Sequence, residues 1–127
     1  MKPIVRQLEN RPWDTWPAEQ QGSRGSLRWR DLFAGDPADG ANVTLGIATL
    51  RRGETLEPHR HSEPETYYTL AGRGIVTIDG VPHPVVPGTA IFIPGDAEHA
   101  IRNDDDEDLE ILYVFAIGDF NKVVYRF

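Results

Sequence analysis

His59 and His61 are separated by one residue, and Glu65 follows after Ser62-Glu63-Pro64. In extended backbone, residues i and i+2 point to the same side, roughly 6.6 Å apart along the chain. Two imidazoles so placed can converge on one ion at about 2.0–2.1 Å. Glu65, just past a Pro-containing turn, can begin the neighbouring strand and add a carboxylate. His99 lies downstream in Gly95-Asp96-Ala97-Glu98-His99. The set predicts one divalent transition metal held by His59, His61, Glu65 and His99. Imidazole with carboxylate suits Zn²⁺, Fe²⁺, Mn²⁺, Ni²⁺ or Co²⁺ without choosing among them. Open coordination positions would remain for a substrate, as in catalytic rather than structural sites. The chain has no cysteine, which removes disulfides, thiolate ligands and a thiol nucleophile.

The elements that position these side chains read as short strands. Ser26 to Phe33 and Asn42 to Arg51 show partial alternation, and Thr66 to Leu70 is rich in β-formers. Asp79-Gly80 between Ile75–Ile78 and Val81 is a hairpin signal. Pro82, Pro84 and Pro87 mark the return segment as an edge or irregular strand. Thr89 to Ile93, His99 to Asn103 and Leu109 to Ile117 read as further strands, and Lys122 to Phe127 as a last one. Ala34 to Gly40 reads as a loop, Asn103 to Asp108 as a solvated acidic turn without the spacing of a calcium loop, and Gly118-Asp119 as a turn. Many short strands without a long amphipathic helix predict an all-β barrel or sandwich. The 127 residues suit one domain. Residues 1–22, with Trp13 and Trp16, read as an extended arm, and 23–127 as the barrel domain.

A net charge of −7 gives no basic footprint for nucleic acid. No stretch approaches signal-peptide or transmembrane length. The expectation is a cytoplasmic protein with a small-molecule substrate and no nucleic-acid or membrane partner.

Strand parity extends the site. If Glu65 points inward, Tyr67 does too, and Tyr68 points outward. Arg60, between the histidines, should face away, and His83 has no partner spacing. Tyr67 is thus a candidate base beside a metal-bound carboxylate or carbonyl. With a reference pKa of about 10, it needs a shift of roughly three units, about 4 kcal/mol, to act near neutral pH.

The spacing Gly53-x5-His59-x-His61-x3-Glu65-x6-Gly72 resembles the first motif of the cupin superfamily. Gly88, Pro94, His99 and Asn103 resemble the second, except that its second glycine would fall at Asp96, and Gly95 sits one residue early. The resemblance covers about residues 42–127 and implies a double-stranded β-helix (jelly-roll barrel) with a metal inside. Small cupins usually pair, so a homodimer is expected. A narrower resemblance joins His59-Arg60-His61-Ser62, Glu65-Thr66-Tyr67, Gly95 to Ala100 and Val123-Val124-Tyr125 to the small cupin dimethylsulfoniopropionate lyases. It implies β-elimination to dimethyl sulfide and acrylate, Tyr67 as the base or its assistant, and Tyr125 in the pocket. Sugar isomerases or epimerases, iron-dependent dioxygenases and non-catalytic binding modules are the alternatives. The aromatic residues Trp29, Phe33, Phe92, Tyr113 and Phe115 favour a sulfonium over a sugar if they line the pocket.

Overall fold

A computed structural model describes residues 2–35, 40–117 and 119–127. The centre of the expected 34–40 loop and Gly118 of the expected turn lie outside the described residues. Alternating side chains build the walls. In β10 (Leu109–Phe115), Leu109, Ile111, Tyr113 and Phe115 are buried, while Glu110, Leu112 and Val114 between them are half-buried. β10 pairs antiparallel with β3 (Thr44–Leu50) on one side and β5 (Glu65–Ala71) on the other. With β1 (Asp14–Thr15), β2 (Arg28–Phe33) and β8 (Ala90–Ile93) they form a six-stranded sheet in the order β1-β2-β3-β10-β5-β8.

The second sheet runs β4-β9-β6-β7, from β4 (Thr55–His59), β9 (His99–Arg102), β6 (Gly74–Ile78) and β7 (Val81–Val85). Asp79 and Gly80 join β6 to β7 with φ of 47° and 80°, the left-handed pair a two-residue hairpin requires. Proline-bearing β7 lies at the sheet edge, where missing N–H donors break no ladder. Among the described residues the longest helix is α1 (Gln21–Arg24), four residues, and none can cross a membrane. The two sheets enclose Leu50, Val76, Ile93, Ile101, Leu109, Ile111 and Phe115, all essentially without solvent contact. The chain is an all-β jelly-roll barrel.

Two segments differ from their expected form. Asp14 and Thr15 of the arm pair with Trp29 and Arg28, so the arm extends the larger sheet. Arg11 adds a bond from Nε to the Asp31 carbonyl at 2.7 Å. The tail is not a strand. Phe120–Lys122 is a 3-10 turn, and the rest pairs only at Arg126, whose N–H and C=O each bond Arg60 at 2.9 Å. Beyond Arg60 the chain bends at Ser62 and Glu63, leaving no further rung to extend the pairing.

The acidic turn is organised from inside. Asn103 is fully buried and donates from Nδ2 to the carbonyls of Leu50 and Glu107 at 2.9 and 2.8 Å. Its Oδ1 accepts from the Asp105 N–H at 2.9 Å, and the carboxylates around it are exposed.

Candidate metal centre

His59 ends β4 and His99 begins β9, and the antiparallel register sets them opposite each other with ring centroids 4.1 Å apart. His61 continues the extended backbone past Arg60, on the same side as His59. Glu65 opens β5 in the facing sheet, so the carboxylate arrives from across the barrel. The donor atoms of the three imidazoles lie within 4.8 Å of one another, and all three side chains are buried. Glu65 Oε1 lies 3.2 Å from Nε2 of His61 and 3.2 Å from Nε2 of His99. The structure therefore brings together all four side chains expected from the spacing.

The tautomers follow from the hydrogen bonds. Nδ1 of His59, His61 and His99 lies 2.8 Å from the carbonyl oxygens of Glu57, Glu63 and Ala97 respectively. A carbonyl only accepts, so each Nδ1 carries the hydrogen, and each neutral ring keeps its lone pair on Nε2. The Nε2 lone pairs of His61 and His99 then face the same carboxylate oxygen. That arrangement repels unless positive charge sits between them, as a proton or as a metal cation. Three Nε2 donors oriented by backbone carbonyls, with one carboxylate, fit a divalent transition metal in donor type and orientation.

The protonation equilibria carry the same tension. Burial and the neighbouring His99 hold His59 well down, at about 3, so it stays neutral. Burial opposes protonation of His61 as well, but the Glu65 hydrogen bond and charge outweigh it and raise its pKa. For Glu65, burial favours the neutral acid, yet the bonds from His61 and His99 win and lower its pKa. His61 and Glu65 thus each favour the charged form of the other.

The turn before His99 shows how the displaced glycine is accommodated. Asp96 itself adopts φ of 64°, a left-handed conformation that aspartate tolerates better than most residues. Its N–H bonds the His61 carbonyl at 2.8 Å, and its carboxylate pairs with Arg126 at 2.6 Å. A Cβ at Gly95 would strike the Ser62 carbonyl oxygen. The glycine is needed for this close approach, and the left-handed residue is Asp96.

Tyr67 and Tyr68 follow parity, at 4% and 42% exposure. Tyr67 lies 6.1 Å from His99 between ring centroids, and Tyr125 lies 5.6 Å from His59 and 5.3 Å from His61. Both line a cavity that also includes His59, Glu65, Trp16, Trp29, Tyr113 and Phe115. Burial, then the Glu65 charge, push both phenols well above the ordinary tyrosine value, opposite to the downward shift that Tyr67 needs to act as a base. Of the five aromatics weighed for a sulfonium, Trp29, Tyr113 and Phe115 line the cavity. Phe92 is 65% exposed on the outside, and Phe33 packs under Arg6. Arg60 turns outward to Glu98, and His83 is exposed.

Two residues, Asp31 and Phe127, and the hydroxyl contact of Tyr113 are not evident from the sequence. Tyr113 donates its hydroxyl hydrogen to Asp31, whose pKa burial raises. Inward parity along β10 and β2 could have found both. Phe127 lies 5.0 Å from the His59 ring and 5.6 Å from Trp16, a placement no local pattern signals.

The model described as a cupin domain matches residues 46–115. The chain belongs to the cupin family. This cupin is 48% identical over 103 residues to dimethylsulfoniopropionate lyase DddW of Ruegeria pomeroyi, covering 81% of this chain and 67% of that one. It is 36% identical over 90 residues to protein SchB of Streptomyces halstedii, covering 70% of this chain and 64% of that one. It thus spans about two thirds of each relative's length. A crystal structure from Thermotoga maritima, described as a predicted oxalate decarboxylase, superposes with a TM-score of 0.76. It shares 24% identity, over 90% of this chain and 99% of that one, and speaks for the fold alone.

Proposed function

We propose that this cupin is a metal-dependent lyase for a small carboxylate-bearing molecule, with dimethylsulfoniopropionate as substrate. The observation that carries the metal is the convergence of three buried imidazoles on the Glu65 carboxylate. His59, His61, Glu65 and His99 would hold the ion. Support for the reaction comes from the 48% identity to a lyase of that name.

A divalent cation bound there would act as a Lewis acid, drawing charge from the substrate carboxylate, acidifying the neighbouring C–H and favouring a nearby phenolate. In that phenolate form, reached against the upward push of burial and Glu65, Tyr67 takes the proton from the carbon next to the carboxylate. The C–H pair becomes the new C=C bond, the C–S bond breaks, and dimethyl sulfide leaves with that bond's electrons. Acrylate remains, and the proton resides on Tyr67. Tyr125 holds the substrate from the tail side. The aliphatic and aromatic walls, including Leu27, Leu56, Ile101 and Phe115, exclude water and supply few of the hydrogen bonds a sugar would need.

The test is headspace detection of dimethyl sulfide from protein loaded separately with Mn²⁺, Fe²⁺, Ni²⁺ or Zn²⁺. Release is expected from the wild type, and loss of release with unchanged metal content from Tyr67→Phe. No release with any metal would refute the substrate. Oxygen uptake with a candidate substrate would move the assignment to a dioxygenase.

The outer face of β5 and β8 supports pairing of two copies. Tyr68, Leu70 and Phe92 are 42%, 43% and 65% exposed there, more apolar surface than a solvated sheet face calls for. Sedimentation is expected to show a dimer.

A further inference from the structure

Asp31, Gly46 and Tyr113 form one row across three strands. Gly46 of β3 pairs with Asp31 of β2 on one side and with Tyr113 of β10 on the other. The Tyr113 ring crosses the place where Gly46 has no side chain. A Cβ there would strike its hydroxyl oxygen, and that hydroxyl donates to the Asp31 carboxylate. The ring therefore lies along the sheet, and it forms part of the cavity wall.

Asp31 is a carboxylate without a cation. Arg11 bonds its main-chain carbonyl at 2.7 Å, and Asp14 adds like charge. Among the described residues no cation pairs with the carboxylate itself. It stands half-buried behind the cavity wall, and its charge reaches the phenols of Tyr113 and Tyr125 within that wall. A phenol that donates to a carboxylate is polarised by it, which strengthens the attraction of the ring face for a cation.

The row also lies at the right level. Phe115 pairs with the carboxylate ligand Glu65, and Tyr113 pairs with Tyr67. Tyr113 is thus one same-face step, roughly 6.6 Å along the strand, from the level of Glu65. In dimethylsulfoniopropionate the carboxylate carbon and the sulfur are three bonds apart, about 4 Å when extended. A substrate with its carboxylate on the metal directs its sulfonium toward Tyr113 and away from the like charge of the ion.

We propose that Tyr113, backed by the Asp31 carboxylate, is the cation-recognition group of this cavity, holding the sulfonium end of the substrate and selecting it over a neutral chain of the same shape. Asp31 acts through Tyr113 and is a positioning residue. The proposal deepens the lyase reading and rests on it for the identity of the substrate.

The experiment is calorimetric titration of the full chain loaded with Zn²⁺. The probes are 3-(trimethylammonio)propionate and 4,4-dimethylpentanoate, which share a carboxylate and a shape and differ in the charge of the head. The wild type should bind the cationic probe about tenfold more tightly than the neutral one. Asp31→Asn still accepts the Tyr113 hydrogen, and Tyr113→Phe keeps the ring. Each should cut the preference to about threefold or less, with zinc content and affinity for the neutral probe unchanged. Equal affinity of the wild type for both probes, no binding of the cationic probe, an unchanged preference in Asp31→Asn, or equal weakening of both probes would overturn the proposal. The readout needs no turnover. A charge preference without dimethyl sulfide release would sink the lyase reading alone, and release without a charge preference would sink this proposal alone.

Discussion

His59 and His99 are direct cross-strand partners, on β4 and β9, with ring centroids 4.1 Å apart. Each ring is turned by a bond from Nδ1 to the carbonyl two residues earlier, Glu57 for one and Ala97 for the other, both at 2.8 Å. One strand pairing therefore joins the two sequence motifs and aims both lone pairs. His99→Ala should lower bound metal from about one equivalent to near none. It should also abolish thermal stabilisation by added metal, which for the wild type reaches about 2.7 kcal/mol at a free metal concentration 100 times Kd. Elemental analysis and melting curves check both.

Acid should destabilise the metal-free protein through His59. Its folded pKa is about 3, below the unfolded value of 6.5. The unfolded chain therefore binds the extra proton between those values, and folding stability falls as pH drops from 6.5 toward 3. His59→Leu should flatten this part of the profile. Urea unfolding of chelator-treated protein at several pH values measures it, and an unchanged slope would count against a buried neutral His59.

Gly95→Ala should cost about 1–3 kcal/mol, the usual penalty for inserting a methyl group where there is no room. The Ser62 carbonyl occupies that space, next to His61, so metal affinity should fall together with stability. Asp96→Gly should preserve the turn and lose only the exposed pair with Arg126, a change within about 1 kcal/mol. Paired unfolding curves for the two variants separate the effects.

Asp31 offers a prediction of opposite sign to His59. Burial raises its folded pKa above the usual 3.8, against the lowering effect of the Tyr113 hydrogen bond. The native state then binds the extra proton, and this contribution to stability is lost as pH rises through the folded value. Asp31→Asn should accordingly stabilise the protein at neutral pH, and the gain should vanish below about pH 3.8. A gain that persists at low pH would mean that repacking, rather than charge, causes it.

The legible parts of this molecule are those governed by local geometry. The i, i+2 placement of His59 and His61, the inward parity of Glu65 and Tyr67, and the Asp79-Gly80 hairpin each depend on a few neighbouring residues. The path of Trp16 depends instead on contacts with Trp29, Tyr125 and Phe127, which are remote in the chain. The tail misled because Val123, Val124 and Tyr125 are β-formers by type, while only Arg126 finds a backbone partner. The apolar alternation of β2 gives no sign of a role for Asp31, and a carboxylate on its inward face becomes intelligible only opposite the Tyr113 hydroxyl.

X-ray absorption of the metal-loaded protein is the most direct test of the four-residue site. Three imidazole nitrogens and a carboxylate oxygen should appear at about 2.0–2.2 Å from the ion, with the oxygen contribution reduced in Glu65→Gln and the metal signal itself nearly lost in His99→Ala. A spectrum with fewer than three imidazoles, or one unchanged by either substitution, would contradict the assignment of His59, His61, Glu65 and His99 to a single cation.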